Sequence, residues 1–394
     1  MKHFGRMLAA AAAIAMCVTV NSAVRGDDDE DSGKGPNRYV VTNLTSDLFG
    51  AANTDGVLQN AWGVAFTPAA SPFWIADNAT GCSTLYDGGG ISQPQPTPLR
   101  VKLPLPGGTV PATACMHSDP NNPPNPTPAS PTGLVWNPTS TFLVPNTTKP
   151  ATFIFDTEDG TISAWTGGLT PPDQAVLAVD KSPGAVYKGL VFGTNVHGVF
   201  LFATNFRAGT IDVFAPNGST GYRAATSSEI DGSFADPNIP AGFAPFGIQN
   251  INGNLFVTYA KQNGAKHDDV AGPGNGFVDI FDTNGHLLRR FASRGPLNSP
   301  WGVARASFAF GRFSGAILVG NFGDGKINAF DSDGASLGHL RDEKGTPLVV
   351  DGLWTLTLGG GRNSSSDTLY FTAGPNDESD GAFGTIIPAS SESR

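Results

Sequence analysis

The sequence predicts an all-β protein, a six-bladed β-propeller, and three observations carry that prediction. A glycine-led apolar strand, a second strand, an Asn/Asp/Gly-rich turn and a third strand recur six times along the chain. Gly 50 and Pro 31 in 394 residues, against Lys+Arg 24 and Asp+Glu 34, describe a turn-dense chain with little place for long amphipathic helices. An apolar strand at 39–44 precedes the first repeat without a first strand of its own, while the last repeat lacks a fourth strand. The two ends can therefore complete one sheet and close a ring, which leaves no sheet edge open.

The first strands start at Trp62-Gly63, Thr132-Gly133, Lys188-Gly189, Phe246-Gly247, Trp301-Gly302 and Asp351-Gly352. Their spacing of roughly 50 to 70 residues is blade length, and a unit that short must stack on neighbours to bury both faces of its sheet. The fifth blade is the clearest. Strands are expected at 301–305, 316–321, 326–330 and 336–340, with Gly323-Asp324-Gly325 supplying a turn that tolerates positive φ. Blade three repeats this at 199–205 and 210–214, and blade four at 255–260, 277–281 and 286–291. Blades one, two and six follow at 73–77 and 83–86, at 151–157 and 161–165, and at 353–358, 368–373 and 383–387. Irregular stretches at 111–131 and 219–240 leave a count of five or seven blades open.

Before the ring, Lys2, His3 and Arg6 lead an apolar run at 7–20 that ends near Ser22 and Ala23. That is the layout of an export leader cleaved near Ala23, and the run is shorter than the roughly 20 residues that span a bilayer. Cys17 raises a lipoprotein alternative, but Met16 stands where a small residue belongs. The domain plan is a leader at 1–23, a disordered acidic linker at 24–37, one propeller domain at 38–388 and a tail at 389–394. The mature protein is expected to be an exported monomer, periplasmic or released, with no membrane span. It then keeps Cys82 and Cys115, which are expected to pair in an oxidising compartment. A formal net charge of -10 argues against a nucleic-acid partner.

Asn60-Ala-Trp-Gly-Val with Phe73-Trp-Ile-Ala-Asp-Asn resembles the NHL-repeat pattern. The segments Thr157-Glu-Asp-Gly-Thr-Ile-Ser-Ala-Trp, Asn205-Phe-Arg-Ala-Gly-Thr-Ile-Asp-Val-Phe, Lys266-His-Asp-Asp-Val-Ala-Gly-Pro-Gly-Asn-Gly and Tyr370-Phe-Thr-Ala-Gly-Pro-Asn-Asp-Glu-Ser are similar to an uncharacterised family of exported bacterial proteins with NHL-like propellers. Some members of that family end in a PEP-CTERM sorting tail; here only Ala-Ser-Ser-Glu-Ser-Arg follows Pro388. The resemblance covers 38–387 and implies a propeller and export, and no particular activity.

In a four-stranded blade the turns between second and third strands share one face of the disc with the approaches to the first strands. That face collects Asp77, Asn78, Glu158, Asp159, Asn205, Arg207, Asn321 and Asp324 from the turns, and Asn60, Lys188, Ser299 and Asp351 from the approaches, close to the central channel. Ordinary turn chemistry accounts for many of these. It accounts less well for two long acidic turns. His267, Asp268 and Asp269 precede Gly272-Pro-Gly-Asn-Gly and offer ligands to a hard cation, with Ca²⁺ the candidate cofactor. Asn376, Asp377, Glu378 and Asp380 form a second candidate set.

The function expected from this face is binding of a small ligand or a protein. The alternative is a metal-dependent hydrolase: Asp351-Gly-Leu-Trp resembles the acidic-residue-Gly-x-Trp motif of SMP-30/gluconolactonase-like propellers, which implies Asp351 as a metal ligand at the channel mouth. Asn60 is its one evident partner, and Lys188 places a positive charge there. No Gly-x-Ser-x-Gly elbow or His-Glu-x-x-His helix is present. Trp62, Trp301 and Trp354 are expected to pack in the core, whereas Trp74 and Trp165 are ambiguous.

Overall fold

A computed structural model describes residues 35–119 and 121–390. The leader at 1–23, most of the acidic linker and the end of the tail lie outside the described residues. Six sheets stand around one axis; five have four strands hydrogen-bonded in chain order from the inside outward, and the sixth is completed on its outer side by strands from the start of the ring. Blade five runs Pro300–Arg305, Ile317–Asn321, Ile327–Phe330 and Ser336–His339, within a residue or so of the sequence expectation. The irregular stretch 219–240 hides the fourth strand of blade three, Tyr222–Ala224. That strand settles the count at six.

The ring closes as the sequence implies. Strand Tyr39–Ser46 pairs antiparallel with Ala382–Pro388, from Tyr39↔Pro388 to Ser46↔Ala382, and becomes the fourth strand of blade six. Asn53–Thr54 adds a short parallel strand outside it. Few helices accompany this: the described residues contain three-residue 3₁₀ turns, and no helix among them is long and apolar enough to cross a membrane.

A glycine in the first strand of blades one to five sets how closely blades approach. A Cβ on Gly63 would lie 2.5 Å from the Thr132 carbonyl oxygen, and one on Gly133 would lie 2.5 Å from the Leu190 nitrogen. Threonines then tie blades across the seam: the Thr132 hydroxyl donates to the Tyr187 carbonyl at 2.9 Å, Thr204 to Phe246 at 2.7 Å and Thr355 to Trp62 at 2.7 Å.

The same contacts fix the register of blade six. Gly302 abuts the Trp354 carbonyl and the Leu356 nitrogen, as Gly63 abuts Thr132 and Leu134. Trp354 is thus the counterpart of Trp62, Thr132, Lys188, Phe246 and Trp301, and Thr355 stands where the other blades have glycine. The alignment starting at Asp351-Gly352 is three residues early, which moves Asp351 away from the axis.

Aromatic rings fill the space between blades. Trp74 stacks on Phe153 at 4.2 Å and lies 4.7 Å from Trp165, so both ambiguous tryptophans pack between blades one and two. On the axis, Trp62 and Trp354 stack at 3.4 Å, Phe322 stacks on Trp354 at 4.0 Å, and Trp301 and Phe246 meet Trp62 edge-on. With Phe206 they form a buried aromatic plug. The Cys82–Cys115 disulfide fastens the insertion that follows blade one, and the Gln59 and Ser118 amides exchange hydrogen bonds at 3.1 and 2.6 Å beside it.

Candidate functional site

Above the plug, turns from five blades meet at the channel mouth. Asn60 is held at φ 45, two residues before its ring tryptophan, and this turns its carboxamide inward. Its oxygen accepts the Trp354 indole N–H at 2.9 Å, and its nitrogen donates to Glu378 at 2.6 Å and to the Asn78 oxygen at 3.1 Å. Asn78 then donates to Glu158 at 3.0 Å. The other oxygen of Glu158 accepts the Lys188 ammonium, which lies 3.9 Å from Asp268. Asp268 in turn meets His267 Nδ1 at 2.6 Å. One arc of side chains therefore runs from blade six through blades one, two and three to blade four.

Lys188 is the centre of this arc and is only 3 % exposed. Its position in the ring fixes it there: its carbonyl accepts the Trp301 indole N–H at 2.8 Å, and its ammonium lies 5.2 Å from the Trp62 ring centroid and 5.9 Å from that of Phe206. A lysine is rarely this buried unless paired, and here Glu158 and the aromatic faces compensate it.

Burial dominates the carboxyls that have no cation of their own. It pushes Glu378 up to about 7, with the charge of Glu158 adding to the rise and the Asn60 hydrogen bond and Lys188 opposing it. Burial also raises Asp269, against which the Ser299 hydroxyl works. Yet neither Asp269 Oδ2 nor Ser299 Oγ meets hydrogen-bond geometry with any described residue. The hydrogen bond to Asp268 raises His267 and lowers Asp268, so that pair favours imidazolium and carboxylate.

The raised value of Glu378 has a signed consequence. Its folded pKa exceeds its unfolded one, so the folded state holds the extra proton between about pH 4.5 and 7 and loses stability as pH rises through that window. Glu378→Gln keeps the shape without the charge. The variant should melt above the wild type at pH 8 and converge with it by about pH 4.5; a constant gap in melts across that range would contradict this assignment.

The two long acidic turns do not each gather a cation shell. In the blade-four turn Asp268 is committed to His267 and to the Asn263 amide at 3.1 Å, while Asp269 turns toward Ser299. In the blade-six turn Asn376 donates to Asp380 at 2.8 Å, Asp377 is exposed, and Glu378 alone turns inward. Asn376, Asp377 and Glu378 all have positive φ, between 53 and 65, and this run of left-handed residues swings Glu378 to the axis. Among the described residues, Glu158, His267 and Asp268 form the trio whose carboxylate and imidazole atoms all lie within 4.8 Å of one another. An ion bound by all three would sit beside the Lys188 ammonium. Unit charges 4 Å apart repel by about 4 kcal/mol at an effective dielectric of 20, and a divalent ion by roughly twice that. The donor set therefore fits a protonated lysine better than Ca²⁺.

The remaining face residues do local work. Asp351 is exposed and accepts the Asn376 backbone N–H at 2.9 Å, so it lies off the channel and not where a lactonase-type ligand belongs. Asp77 is buried and accepts the Thr84 hydroxyl at 3.2 Å, and Asp159 accepts the Ser130 N–H at 2.8 Å. Asn205 donates to Asp212 at 3.2 Å and Asn321 to the Pro296 carbonyl at 2.8 Å; Asp324 pairs with Lys326 at 3.2 Å. Arg207 is half-buried with its Nε unpartnered among the described residues. Ser299, one of the approaches the sequence placed beside the channel, shares the position of Asn60, two residues before a ring tryptophan and also at φ 45.

No family model matches the chain. The uncharacterised protein R648 of Acanthamoeba polyphaga mimivirus is 31 % identical over 352 residues, which is 88 % of this chain and 79 % of that protein. This relative is a giant-virus protein, where the sequence resemblance pointed to bacterial ones. Among solved structures, a streptogramin B lyase is 12 % identical with a TM-score of 0.48, covering 89 % of this chain and 97 % of its own. A gluconolactonase of Xanthomonas campestris is 14 % identical with a TM-score of 0.44, covering 84 % and 87 %.

Proposed function

We propose that this chain, which belongs to the family of mimivirus protein R648, is a ligand-binding propeller whose site is the channel mouth formed by Asn60, Asn78, Glu158, Lys188, Asp268 and Glu378. The observation that carries the reading is the buried Lys188 ammonium at the centre of a polar arc drawn from separate blades. An arrangement that serves only as a turn needs no such convergence, and a few convergent polar groups are what ligand sites use to fix orientation. The Cys82–Cys115 bond suits an oxidising compartment and supports export.

A second reading, a metal-dependent hydrolase, draws on the approach of Glu158, His267 and Asp268. Lys188 counts against it. Melts of the wild type, Asp268→Asn and Glu378→Gln with small neutral, anionic and cationic organic compounds and with Ca²⁺, Mg²⁺ and Mn²⁺ separate the two. A ligand that binds only the native state adds about 2.7 kcal/mol at a hundredfold excess over Kd. The expected result is that an organic compound raises the melting temperature of the wild type and much less that of the variants, while the divalent ions do not. Stabilisation by a divalent ion that Asp268→Asn abolishes would instead establish the second reading, and stabilisation indifferent to both substitutions would place the site elsewhere.

A further inference from the structure

Blade three leaves part of its third strand, Thr210–Pro216, uncovered. Its fourth strand, Tyr222–Ala224, pairs with Phe214–Pro216, and among the described residues no strand lies outside Thr210, Ile211 and Asp212. The chain instead turns away. The Ala225 N–H still donates to the Val213 carbonyl at 2.8 Å, but Gly232 and Phe234 donate theirs to the Asn284 and Gly285 carbonyls of blade four at 2.8 and 2.9 Å. Phe234, held at φ 51, packs against Phe202 and Phe281 with ring centroids 5.6 Å away. Between these anchors the Arg223 guanidinium grips Glu229 through two nitrogens, at 2.8 and 2.6 Å. Held off the sheet in this way, the segment encloses a cavity of about 470 Å³ against the third strand. That volume is in the range of small-molecule sites, and the pinned walls make it pre-formed.

The lining selects the ligand. Ile211, Phe214, Ile230 and Phe234 supply an apolar wall, and two charged residues, Asp212 and Lys181, interrupt it. Asp212 is half-buried, and its carboxylate accepts from the Tyr187 hydroxyl at 2.9 Å, the Asn205 amide at 3.2 Å and the Thr210 hydroxyl at 3.2 Å, all of them neutral donors. Lys181 is exposed, and neither it nor Asp212 forms an ion pair among the described residues. A cationic ligand would answer the aspartate and leave the lysine unmatched, and an anionic one would do the opposite. A zwitterion with an apolar side chain matches both charges and the wall while bringing no net charge to a partly buried site.

We propose that this cavity is a binding site separate from the channel mouth and that it takes an apolar α-amino acid, its ammonium on Asp212, its carboxylate on Lys181 and its side chain against Ile230 and Phe234. The probes are one skeleton in three charge states: phenylalanine, phenethylamine, which lacks the carboxylate, and hydrocinnamate, which lacks the ammonium. Calorimetry on the full chain and on Asp212→Asn and Lys181→Met reads the binding. Both variants should melt with the wild type, because an asparagine oxygen still accepts from Tyr187 and Lys181 is exposed. Phenylalanine should bind about tenfold more tightly than either single-charge probe, the order expected for one charge-assisted hydrogen bond. Asp212→Asn should weaken phenylalanine and phenethylamine and leave hydrocinnamate unchanged, whereas Lys181→Met should weaken phenylalanine and hydrocinnamate and leave phenethylamine unchanged. A single-charge probe that binds most tightly would overturn the zwitterion. Phenylalanine binding indifferent to both substitutions, or no binding by any probe, would remove the site altogether.

Discussion

A chain that begins at Thr45 should melt well below the full-length protein and with a less cooperative transition. The closing strand does more than add a fourth strand to blade six. Tyr39 is 1 % exposed, its ring stacks on Phe310 at 4.9 Å and Phe313 at 6.2 Å, and its hydroxyl donates to the Phe310 carbonyl at 3.0 Å, all in blade five. Its backbone N–H donates to the Arg341 carbonyl at 2.9 Å, and the Asn37 amide donates to the His339 carbonyl at 3.0 Å. The segment therefore clamps the last two blades while covering Ala382–Pro388, whose Phe383 and Ile386 are buried. Tyr39→Ala alone should cost about 3–5 kcal/mol, the range for emptying a buried aromatic site. Tyr39→Phe should cost about 1 kcal/mol, because only the hydrogen bond is lost. The truncation must exceed both, since it also exposes an unpaired strand edge. Denaturant melts of the three proteins check the order. A truncated protein as stable as the full chain would mean that the ring does not depend on its closing strand.

That closure was legible in the sequence because strands and turns leave local marks. Period-two apolar runs and Asn/Asp/Gly turns place a blade wherever they fall, and an unpaired strand at one end answers a missing one at the other. The register of blade six was obscured for an equally local reason. Five first strands carry glycine after the ring residue and the sixth carries Thr355, so the nearby Gly352 drew the alignment to Asp351. The site was legible only as a list of polar turn residues. Asn60 and Glu378 are 318 residues apart, and their contact depends on a left-handed turn at 376–378 that sequence does not announce. Lys188 could be assigned to the channel from its place before Gly189, but its acceptor, Glu158, comes from the turn of another blade, where turn chemistry explains an acidic residue as readily as function does.

Lys188→Met should destabilise the protein by about 3–5 kcal/mol, because removing one partner of a buried ion pair strands the other. Glu158 is 12 % exposed, and with Lys188 gone it keeps only the Asn78 amide at 3.0 Å. Methionine is the informative replacement, since it fills the lysine stem and packs against the Trp62 and Phe206 rings that the ammonium now faces. The double variant Lys188→Met, Glu158→Gln should recover most of the loss, because no uncompensated charge remains and Asn78 still has an oxygen to donate to. Urea melts of the four proteins give the coupling energy directly. Single variants within about 0.5 kcal/mol of the wild type would show a solvated pair that contributes nothing, as most exposed ion pairs do. Recovery in the double variant sharpens the functional reading. A buried pair that apolar and neutral side chains can replace is not needed for stability, and on the ligand-binding reading proposed above the double variant should fold like the wild type while failing to hold a ligand.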